Sequence, residues 1–515
     1  MRLQELVEVS RSVGATRSRT RKVELLAGGL ARLEPRERRA GVAFLAGEPR
    51  QERLELGPAA VFGVDVDASP EASLEVAEVD ATLQAIADVE PGSGSRSRRL
   101  QLLTDLLARA TAHEQDWLRS LVLRELRQGA LEGLLVQAVA RAADLDERLV
   151  RRAAMLAGDV STVADAALDG GEQALADIRL QVGVALQPML AATAASVAEA
   201  LEGLGEVTVE AKLDGARIQV HRDGDEVRVF TRNLREISAR VPEVVDAVRG
   251  LAVSRVVLDG EAIAFDEAGR PRSFQETMER FGRERDVEAV RAERSLHARF
   301  FDVLHLNGDD VLDRPLRERL GLLAATVNDE LRTDRLVTSE SREVEQFLER
   351  TLAAGHEGIM VKDPAAPYEA GRRGSAWRKV KPVHTLDLVV LAVEWGSGRR
   401  RGWLSNLHLG AHADDGEGFV MLGKTFKGLT DETLAWQTEQ LLAREVSRDG
   451  HVVHVRPELV VEIALDGVVR SPRYPGGLAL RFARVRGYRP DKDPADADTL
   501  ATVRAIHEGT RLPTG

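Results

Sequence analysis

The hydrophobic pattern of this chain changes twice along its length, and each change restricts the fold to a different class of structure. Up to about residue 195, apolar residues recur at the three- and four-residue spacing of amphipathic helices, as at 100–107. Short β-branched runs then alternate with helical stretches, and beyond about residue 386 the β-branched runs dominate. Because 515 residues exceed what one hydrophobic core serves, we predict a multidomain α+β protein. Its domains would be helical (1–195), α+β (196–385) and β-rich (386–515).

Composition excludes several classes of protein. Cysteine is absent, which removes disulfides, cysteine-ligated zinc and thiol catalysis. The 11 histidines lack HExxH or comparable ligand spacing, so we expect no built-in transition-metal site. No apolar run approaches the ~18 residues of a membrane span, and the first residues lack a signal-peptide core; we expect a cytoplasmic protein. The net charge of -12 does not exclude nucleic acid, because recognition depends on how charge is clustered.

The helical region contains a predicted loop and two basic clusters. The loop is the segment 91–95, rich in Gly and Ser, which we expect to be flexible. The clusters are residues 17–22 and 96–99, where Arg is mixed with Ser and Thr. Each is either a solvated helix start or a set of phosphate contacts.

The stretch Glu210-Ala-Lys-Leu-Asp-Gly-Ala-Arg217 is the strongest candidate for chemistry. An alternating run leads into it, which predicts a strand that ends at Lys212. A lysine amine attacks only when it is deprotonated, and burial or neighbouring cations favour that form. The alternative is a surface lysine in a strand-turn-strand, since Lys-x-Asp-Gly is a loose motif.

Secondary-structure candidates follow on both sides of residue 386. In the α+β region we predict strands at 206–210, 216–221, 226–231, 255–259, 299–304 and 358–361, and helices near 315–325 and 342–354. In the last region we predict strands at 386–393, 419–425 and 459–464 and a helix near 431–446. A small barrel of about five strands fits this last pattern, and the OB-fold is the commonest nucleic-acid-binding example.

Further segments supply complementary parts of one reaction. Glu261 and Glu357 offer the oxygen ligands that a divalent cation prefers. Phe301 offers a flat apolar partner for a purine. Residues 372–381 carry five cations and no acid, which suits phosphate; Lys379 and Lys381 alternate along a predicted strand and would face the same side.

In their order, these segments resemble the motif set of the covalent nucleotidyltransferases, which include ATP-dependent DNA ligases, RNA ligases and mRNA capping enzymes. The closer resemblance is to ATP-dependent DNA ligases of bacterial and archaeal type. It rests on the segments 126–129, 187–190, 301–308, 368–377 and 481–484, and on Asp491 with Lys492. The resemblance covers nearly the whole chain and is most specific in the middle domain. Arg378 departs from the family, which often has an apolar residue there.

The resemblance implies a role for each matching residue. Lys212 would carry covalent AMP, Glu210 would read the adenine edge and Phe301 would stack on adenine. Arg217 and Arg232 would contact the nucleotide or the nick phosphate, and Glu261 would bind ribose or metal. Glu357 would bind metal. The α-phosphate would be held by Arg373, Lys379 and Lys381, and the pyrophosphate would be oriented by Arg481, Arg484 and Lys492.

The resemblance also implies fold, cofactors and partners. It implies a helical DNA-binding domain, an ATP-grasp-like adenylation core and a C-terminal OB-fold barrel. ATP and Mg²⁺, or another divalent cation such as Mn²⁺, would be the cofactors. The partner would be nicked duplex DNA in the bacterial nucleoid, enclosed by a monomer.

Three other interpretations stay open. An RNA ligase or capping enzyme shares the core, although the 195 preceding residues argue against a capping enzyme. NAD-using ligases resemble this chain less, since they bring a cysteine-ligated zinc module. A non-catalytic clamp on nucleic acid would retain the fold without the chemistry.

Overall fold

The structure is a computed structural model. It describes residues 1–51, 53–126, 132–267, 269–272, 274–281, 291, 295–369, 373–416 and 418–509. The segment 126–129 thus falls outside the described residues except for Leu126. None of the described helices is long and apolar enough to cross a membrane.

The first region is helical, as predicted. Its helices are α1 (Leu3–Ala15), α2 (Arg19–Leu30), α3 (Pro35–Ala46), α4 (Pro58–Phe62), α5 (Val76–Ala87), α6 (Ser95–Ala108), α7 (Ala112–Val122), α8 (Glu132–Ala143), α9 (Glu147–Ala157) and α10 (Val160–Ala176). Side chains cap several N-termini: Thr111 accepts from the Glu114 N–H, and Asp159 accepts from the Ser161 and Thr162 N–H groups. The apolar faces of these helices share one core.

The middle region begins before residue 196, with a strand rather than a helix. Its elements are β1 (Leu190–Ala194), α11 (Val197–Leu201), β2 (Val207–Lys212), β3 (Ala216–Asp223), β4 (Glu226–Thr231), α12 (Pro242–Arg249), β5 (Arg255–Ala264), α13 (Phe274–Phe281), β6 (Leu296–Leu306), β7 (Asp309–Asp310), α14 (Leu316–Thr326), β8 (Arg335–Thr338), α15 (Ser341–Ala353), β9 (Gly358–Lys362) and β10 (Arg373–Val380). Every predicted strand and helix of this region is present. The hairpin predicted after Lys212 joins β3 to β4.

The described strands of the middle region form two sheets. One has the order β1-β10-β9-β2-β8 and the other β4-β3-β5-β6-β7. In the first sheet, Val207 and Val209 of β2 pack with Ile359 and Val361 of β9 on one face. Because strand side chains alternate, Glu210 and Lys212 point to the opposite face. A second apolar cluster, containing Val257, Leu304, Tyr368 and Trp377, joins that opposite face to the second sheet.

The last region is rich in strands. Its elements are β11 (His384–Trp395), β12 (Leu404–His412), β13 (Phe419–Thr425), α16 (Asp431–Leu442), β14 (Glu445–Asp449), β15 (Val452–Val455), β16 (Val460–Leu465), β17 (Gly467–Arg470), β18 (Leu478–Arg481), β19 (Arg484–Tyr488) and α17 (Leu500–His507). Thr430 caps α16, accepting from the Thr433 N–H. The β-rich prediction for this region is confirmed.

The described strands of this region do not form a closed barrel. Their pairings follow the path β13-β12-β11-β15-β14, with β16 joining β11 to β19. The long strand β11 divides one edge between two partners: residues 384–389 pair with β16 and residues 392–394 with β15. The alternation of apolar residues reveals each strand but not the edge along which it pairs, and that choice determines closure.

Candidate active site

Lys212 ends β2 beside Glu357, the residue that precedes β9. The Glu357 backbone N–H donates to the Lys212 carbonyl oxygen at 3.1 Å, and the Lys212 Nζ forms an ion pair with Glu357 Oε2. On its other oxygen, Glu357 Oε1 lies 2.5 Å from Lys381 Nζ. Burial raises the pKa of Glu357, but the positive charges of Lys212 and Lys381 outweigh it and hold the pKa at about 2. The charged partner of Lys212 is therefore a carboxylate.

Two further carboxyl groups, those of Glu261 and Asp214, lie near the charged side chains of this cluster. Burial raises the pKa of Glu261 to about 8, against the lowering effect of the Lys212 and Arg217 charges. Burial and the Glu357 charge also raise the pKa of Asp214. Gly215 lets the turn after Lys212 approach β5, because a Cβ there would lie 2.8 Å from Glu261 Cγ.

Arg217 is held in place by a buried hydrogen-bond network. Its guanidinium donates to both Asp259 oxygens, at 3.1 and 2.7 Å, and to the Met189 carbonyl oxygen at 2.6 Å. The Tyr368 hydroxyl donates to Asp259 at 2.7 Å and accepts from the Met189 N–H at 3.0 Å. The network thus joins the segment before β1 and the segment between β9 and β10 to the second sheet. It also holds the Arg217 cation near the rings of Phe301 and Trp377, 5.5 and 5.7 Å from their centroids.

Phe301 belongs to an aromatic group beside the two sheets. Its ring meets Trp377 edge-on, with centroids 6.0 Å apart, and Trp377 meets Tyr368 in the same manner at 5.9 Å. The Lys362 ammonium lies 4.5 Å from the Phe301 centroid and 4.2 Å from that of Trp377. Phe301 stays partly exposed while Trp377 is buried, so Phe301 is the ring that a planar ligand reaches.

Glu210 faces the same side of β2 as Lys212, but both of its carboxylate oxygens already lie against cations. Glu210 Oε1 accepts from Arg335 Nε at 2.9 Å and from Arg335 Nη2 at 2.6 Å. Its other oxygen, Oε2, lies 2.5 Å from Lys362 Nζ. Only 2% of the Glu210 side chain is exposed, so these cations are what stabilises its charge.

Arg232 lies apart from this cluster, and the structure gives the strand positions of Arg373 and Lys379. Arg232 is exposed in the turn after β4, and no contact among the described residues joins it to Lys212. Arg373 begins β10 opposite Leu190, but its side chain lies outside the described part of the structure. Lys379 pairs with Met360 across β10 and β9, on the same face of the strand as Trp377.

Three cations of the last region were predicted to orient the pyrophosphate, and only one of them lies beside Lys212. Arg481 Nη1 lies 3.2 Å from Asp214 Oδ2, beside the lysine. Lys492 instead binds Asp387 at 2.6 Å, within the last region, and Arg484 is exposed at the start of β19. Of the basic clusters in the helical region, Arg99 is buried and its Nη2 donates to the Val89 carbonyl oxygen at 2.6 Å, so it does not face a ligand.

Two residues that contact this cluster, Asp466 and Arg335, were not indicated by any sequence pattern. Asp466 Oδ2 lies 3.1 Å from Lys381 Nζ across 85 positions of sequence, and Arg335 reaches Glu210 across 125. Neither stands in a motif, and only the fold brings them close. Tyr368 begins the segment 368–377 and Lys362 directly follows the predicted strand 358–361, but spacing did not indicate their contacts.

A divalent cation fits part of this arrangement. Within the described residues, no group of three or more His, Asp or Glu side chains is arranged to hold a metal ion. The carboxyl oxygens of Glu261 and Glu357 are nevertheless hard donors, and a bound cation would displace the proton that Glu261 otherwise holds. After burial, the negative charges of Asp259 and then of Glu357 raise the pKa of Glu261, and a cation near Glu261 and Glu357 would relieve the repulsion between them.

Models of known protein families match part of each of the three regions. The family model described as "ATP dependent DNA ligase domain" matches residues 188–381. "ATP dependent DNA ligase C terminal region" matches 400–492, and "DNA ligase N terminus" matches 60–140. A "Probable DNA ligase" of Anaeromyxobacter sp. (strain Fw109-5) is 58% identical over 510 residues, covering 98% of each chain.

Other comparisons agree. A "Probable DNA ligase" of Saccharopolyspora erythraea is 55% identical over 513 residues, covering 100% of this chain and 99% of the relative. The solved structure described as "Pmar-Lig_Pre." superposes with a TM-score of 0.60 over 94% of this chain and 99% of that one. At 17% identity, that last comparison shows a likeness of fold alone.

Proposed function

This chain belongs to the ATP-dependent DNA ligases, and we propose that Lys212 is the residue on which it carries AMP between ATP and a DNA nick. One observation carries the proposal. The Lys212 amine stands at a strand end beside the Glu357–Lys381 pair, and the charges of both Lys212 and Arg217 act on the buried Glu261. The Arg217 guanidinium lies 5.5 Å from the centroid of the Phe301 ring, and we place the base of the nucleotide on that ring. A nucleophile, a phosphate-binding cation and a planar apolar partner for the base therefore meet in one place.

In the first step, the Lys212 Nζ attacks the α-phosphorus of ATP. A P–N bond forms, the P–O bond to pyrophosphate breaks, and a proton leaves the nitrogen for water. Glu357 orients the Lys212 side chain beforehand and releases it when ATP enters. Lys381 and Arg481 then face phosphate oxygens, where their charges stabilise the transition state. A divalent cation held by Glu261 and Glu357 would supply further charge to the phosphates.

In the second and third steps the AMP moves to DNA. The 5′-phosphate oxygen at a nick attacks the Lys212-bound phosphorus, which breaks the P–N bond and returns the proton to the amine. The 3′-hydroxyl then attacks the activated 5′-phosphate, releases AMP and seals the strand. All three steps are in-line displacements, so positioning does most of the catalysis.

We further propose that the enzyme acts as a monomer that encloses nicked duplex in the nucleoid, with the helical region as a DNA clamp. Arg19 and Arg21 support this, because they lie at the N-terminus of α2 and retain exposure. Helix N-termini and Arg side chains both suit phosphate. The bacterial source of the relatives supports the nucleoid.

The test is to mix the protein with α-labelled ATP and magnesium and to measure label on the denatured chain. We expect label on the wild type and its discharge, with sealing, when nicked DNA is added. Lys212→Ala should lose the label but keep its affinity for nicked duplex, whereas loss of both would mean that the lysine is structural. Discharge by nicked RNA alone would favour an RNA ligase, and label from NAD alone would change the nucleotide donor.

A further inference from the structure

A row of polar side chains on β3 holds the linker between the helical region and the middle region. The linker is the segment 177–189, between α10 and β1. Arg217, Gln219 and His221 alternate along β3 and share one face, while the residues between them face the core on the other side. Arg217 donates to the Met189 carbonyl oxygen at the end of the linker, and the other two residues hold the part before it.

Gln219 and His221 bind the backbone of the linker rather than its side chains. The Gly183 N–H donates to His221 Nδ1 at 3.0 Å. The Leu186 N–H donates to Gln219 Oε1 at 2.8 Å, and Gln219 Nε2 donates to the Leu186 carbonyl oxygen at 3.2 Å. Burial lowers the pKa of His221 to about 3, so its neutral ring accepts at Nδ1 and donates from Nε2 to Gln219 Oε1 at 2.8 Å. Gln219 is 4% exposed and His221 1%, so these bonds are shielded from water.

The opposite side of the linker lies against α9 of the helical region. The Gln187 N–H donates to the Met155 carbonyl oxygen at 3.1 Å. Gly158 ends α9 with a φ of 65° and passes so close to the linker that a Cβ there would lie 2.5 Å from the Ala185 carbonyl oxygen. Met155 and Leu186 belong to one buried apolar cluster with residues of the second sheet. The linker is therefore enclosed between the two regions instead of being a free tether.

An ion pair outside the linker joins the same two regions. Arg152 of α9 donates to both oxygens of Asp313, which lies between β7 and α14, at 2.6 and 2.7 Å. Both side chains keep exposure, 38% for Arg152 and 59% for Asp313, so the pair lies at the rim of the contact.

From these contacts we infer that the docked linker fixes the orientation of the helical region on the catalytic core, and that Gln219 and His221 are positioning residues for the steps that use DNA. The inference rests on the proposed function, in which the helical region holds the DNA. A flexible chain as long as the linker has an r.m.s. end-to-end distance of about 20 Å. In-line attack requires the reacting atoms within about 3–3.5 Å, so a free linker would not keep a held nick aligned with Lys212.

The first step does not share this requirement. ATP binds in the middle and last regions, where Lys212, Lys381 and Arg481 lie, and its attack by the amine needs no DNA. Release of the linker should therefore slow AMP transfer to the nick and leave labelling of the lysine largely unchanged. A merely structural role for Gln219 would slow both steps together.

The test begins with Gln219→Met, which keeps the side-chain volume and removes both hydrogen bonds to Leu186. Docking of the linker then becomes about tenfold to a hundredfold less favourable, because two backbone groups stay buried without partners. With pre-adenylated protein and saturating nicked duplex, the single-turnover rate of AMP transfer should fall by about tenfold, since only docked molecules align the nick. The rate of labelling by ATP and the affinity for nicked duplex should change by less than about threefold.

A matched pair of histidines provides the control. His305 on β6 is buried like His221, and its Nε2 accepts from the Gly308 N–H at 3.2 Å, but within the turn between β6 and β7. His221→Phe and His305→Phe should both lower stability, whereas only His221→Phe should slow AMP transfer relative to labelling. An equal slowing of AMP transfer in both variants would overturn the inference.

Arg152→Gln tests the same contact at an exposed position, where the fold does not depend on the side chain. It should slow AMP transfer by about twofold to fivefold, the value of an exposed ion pair. Orientation can also be measured directly, because the chain has no cysteine of its own. Spin labels on Ala112→Cys and Ser341→Cys, both exposed, report the distance between the two regions by double electron–electron resonance. Gln219→Met should broaden the distribution of this distance in the DNA-free protein.

Three results would count against the reasoning, each at a different level. Labelling and AMP transfer that slow equally in Gln219→Met would make the residue structural and overturn the inference, with the proposed function left standing. An unchanged rate of AMP transfer together with an unchanged distance distribution would overturn it as well. A wild type that takes up label yet neither binds nor seals nicked duplex would refute the proposed function itself.

Discussion

Glu261→Gln should stabilise the protein at alkaline pH although it removes a proposed metal ligand. Burial raises the pKa of Glu261 from 4.5 to about 8. The native state therefore keeps a proton on Glu261 between these values, where the unfolded chain has lost it. Because the native state binds more protons, the free energy of unfolding falls as the pH rises from about 4.5 to about 8.

The size of this change in the free energy of unfolding follows from the same two pKa values. Each pH unit between them corresponds to about 1.4 kcal/mol, so a fully desolvated Glu261 would cost about 5 kcal/mol above pH 8. Glu261 keeps partial contact with solvent, so we expect about 1–3 kcal/mol instead. The neutral Gln avoids this cost at every pH. The stability advantage of Glu261→Gln over the wild type should therefore grow by about 1–2 kcal/mol between about pH 6 and pH 8.5.

The assay is urea unfolding of the substrate-free protein in the presence of EDTA, at both pH values, for wild type and variant. Any packing change caused by the substitution is the same at both pH values and cancels in the comparison. The same preparations should show slower AMP labelling for the variant when magnesium is restored. A stability difference that stays constant with pH, or that turns against the variant at pH 8.5, would refute the assignment of a buried protonated Glu261.

Two further predictions concern the nucleotide and the DNA. Phe301→Ala should raise the KM for ATP by about tenfold, the value of a lost aromatic contact, while sealing of a pre-adenylated nick changes less; Phe301→Leu is the matched control for lost volume. An equal loss in both assays would count against stacking on the base. Binding of Lys212→Ala to nicked duplex should weaken steeply as the salt concentration rises, because phosphate contacts release counterions. A flat salt response in a fluorescence-anisotropy titration would contradict the clamp proposed for the helical region.

Local sequence determined the individual elements and most of the chemistry-bearing positions. Alternation across 207–212 is enough to predict a strand that ends at Lys212 with Glu210 on the same side, and the structure has both. The strand predicted at 358–361 likewise places Glu357 directly before β9, as the structure has it. These predictions depend on neighbours within a few positions, where backbone geometry decides which side chains share a face.

Only the tertiary structure decided which of these side chains touch. Arg335, Lys362 and Glu210 come from three strands, and no periodicity reveals that β8 and β9 flank β2. The contacts of Lys381 with Asp466 and of Arg481 with Asp214 arise in the same way, between residues 85 and 267 positions apart. The open path of the last sheet is another such outcome. Long-range pairing depends on which buried faces and strand edges satisfy one another across the whole chain, and no local segment contains that information.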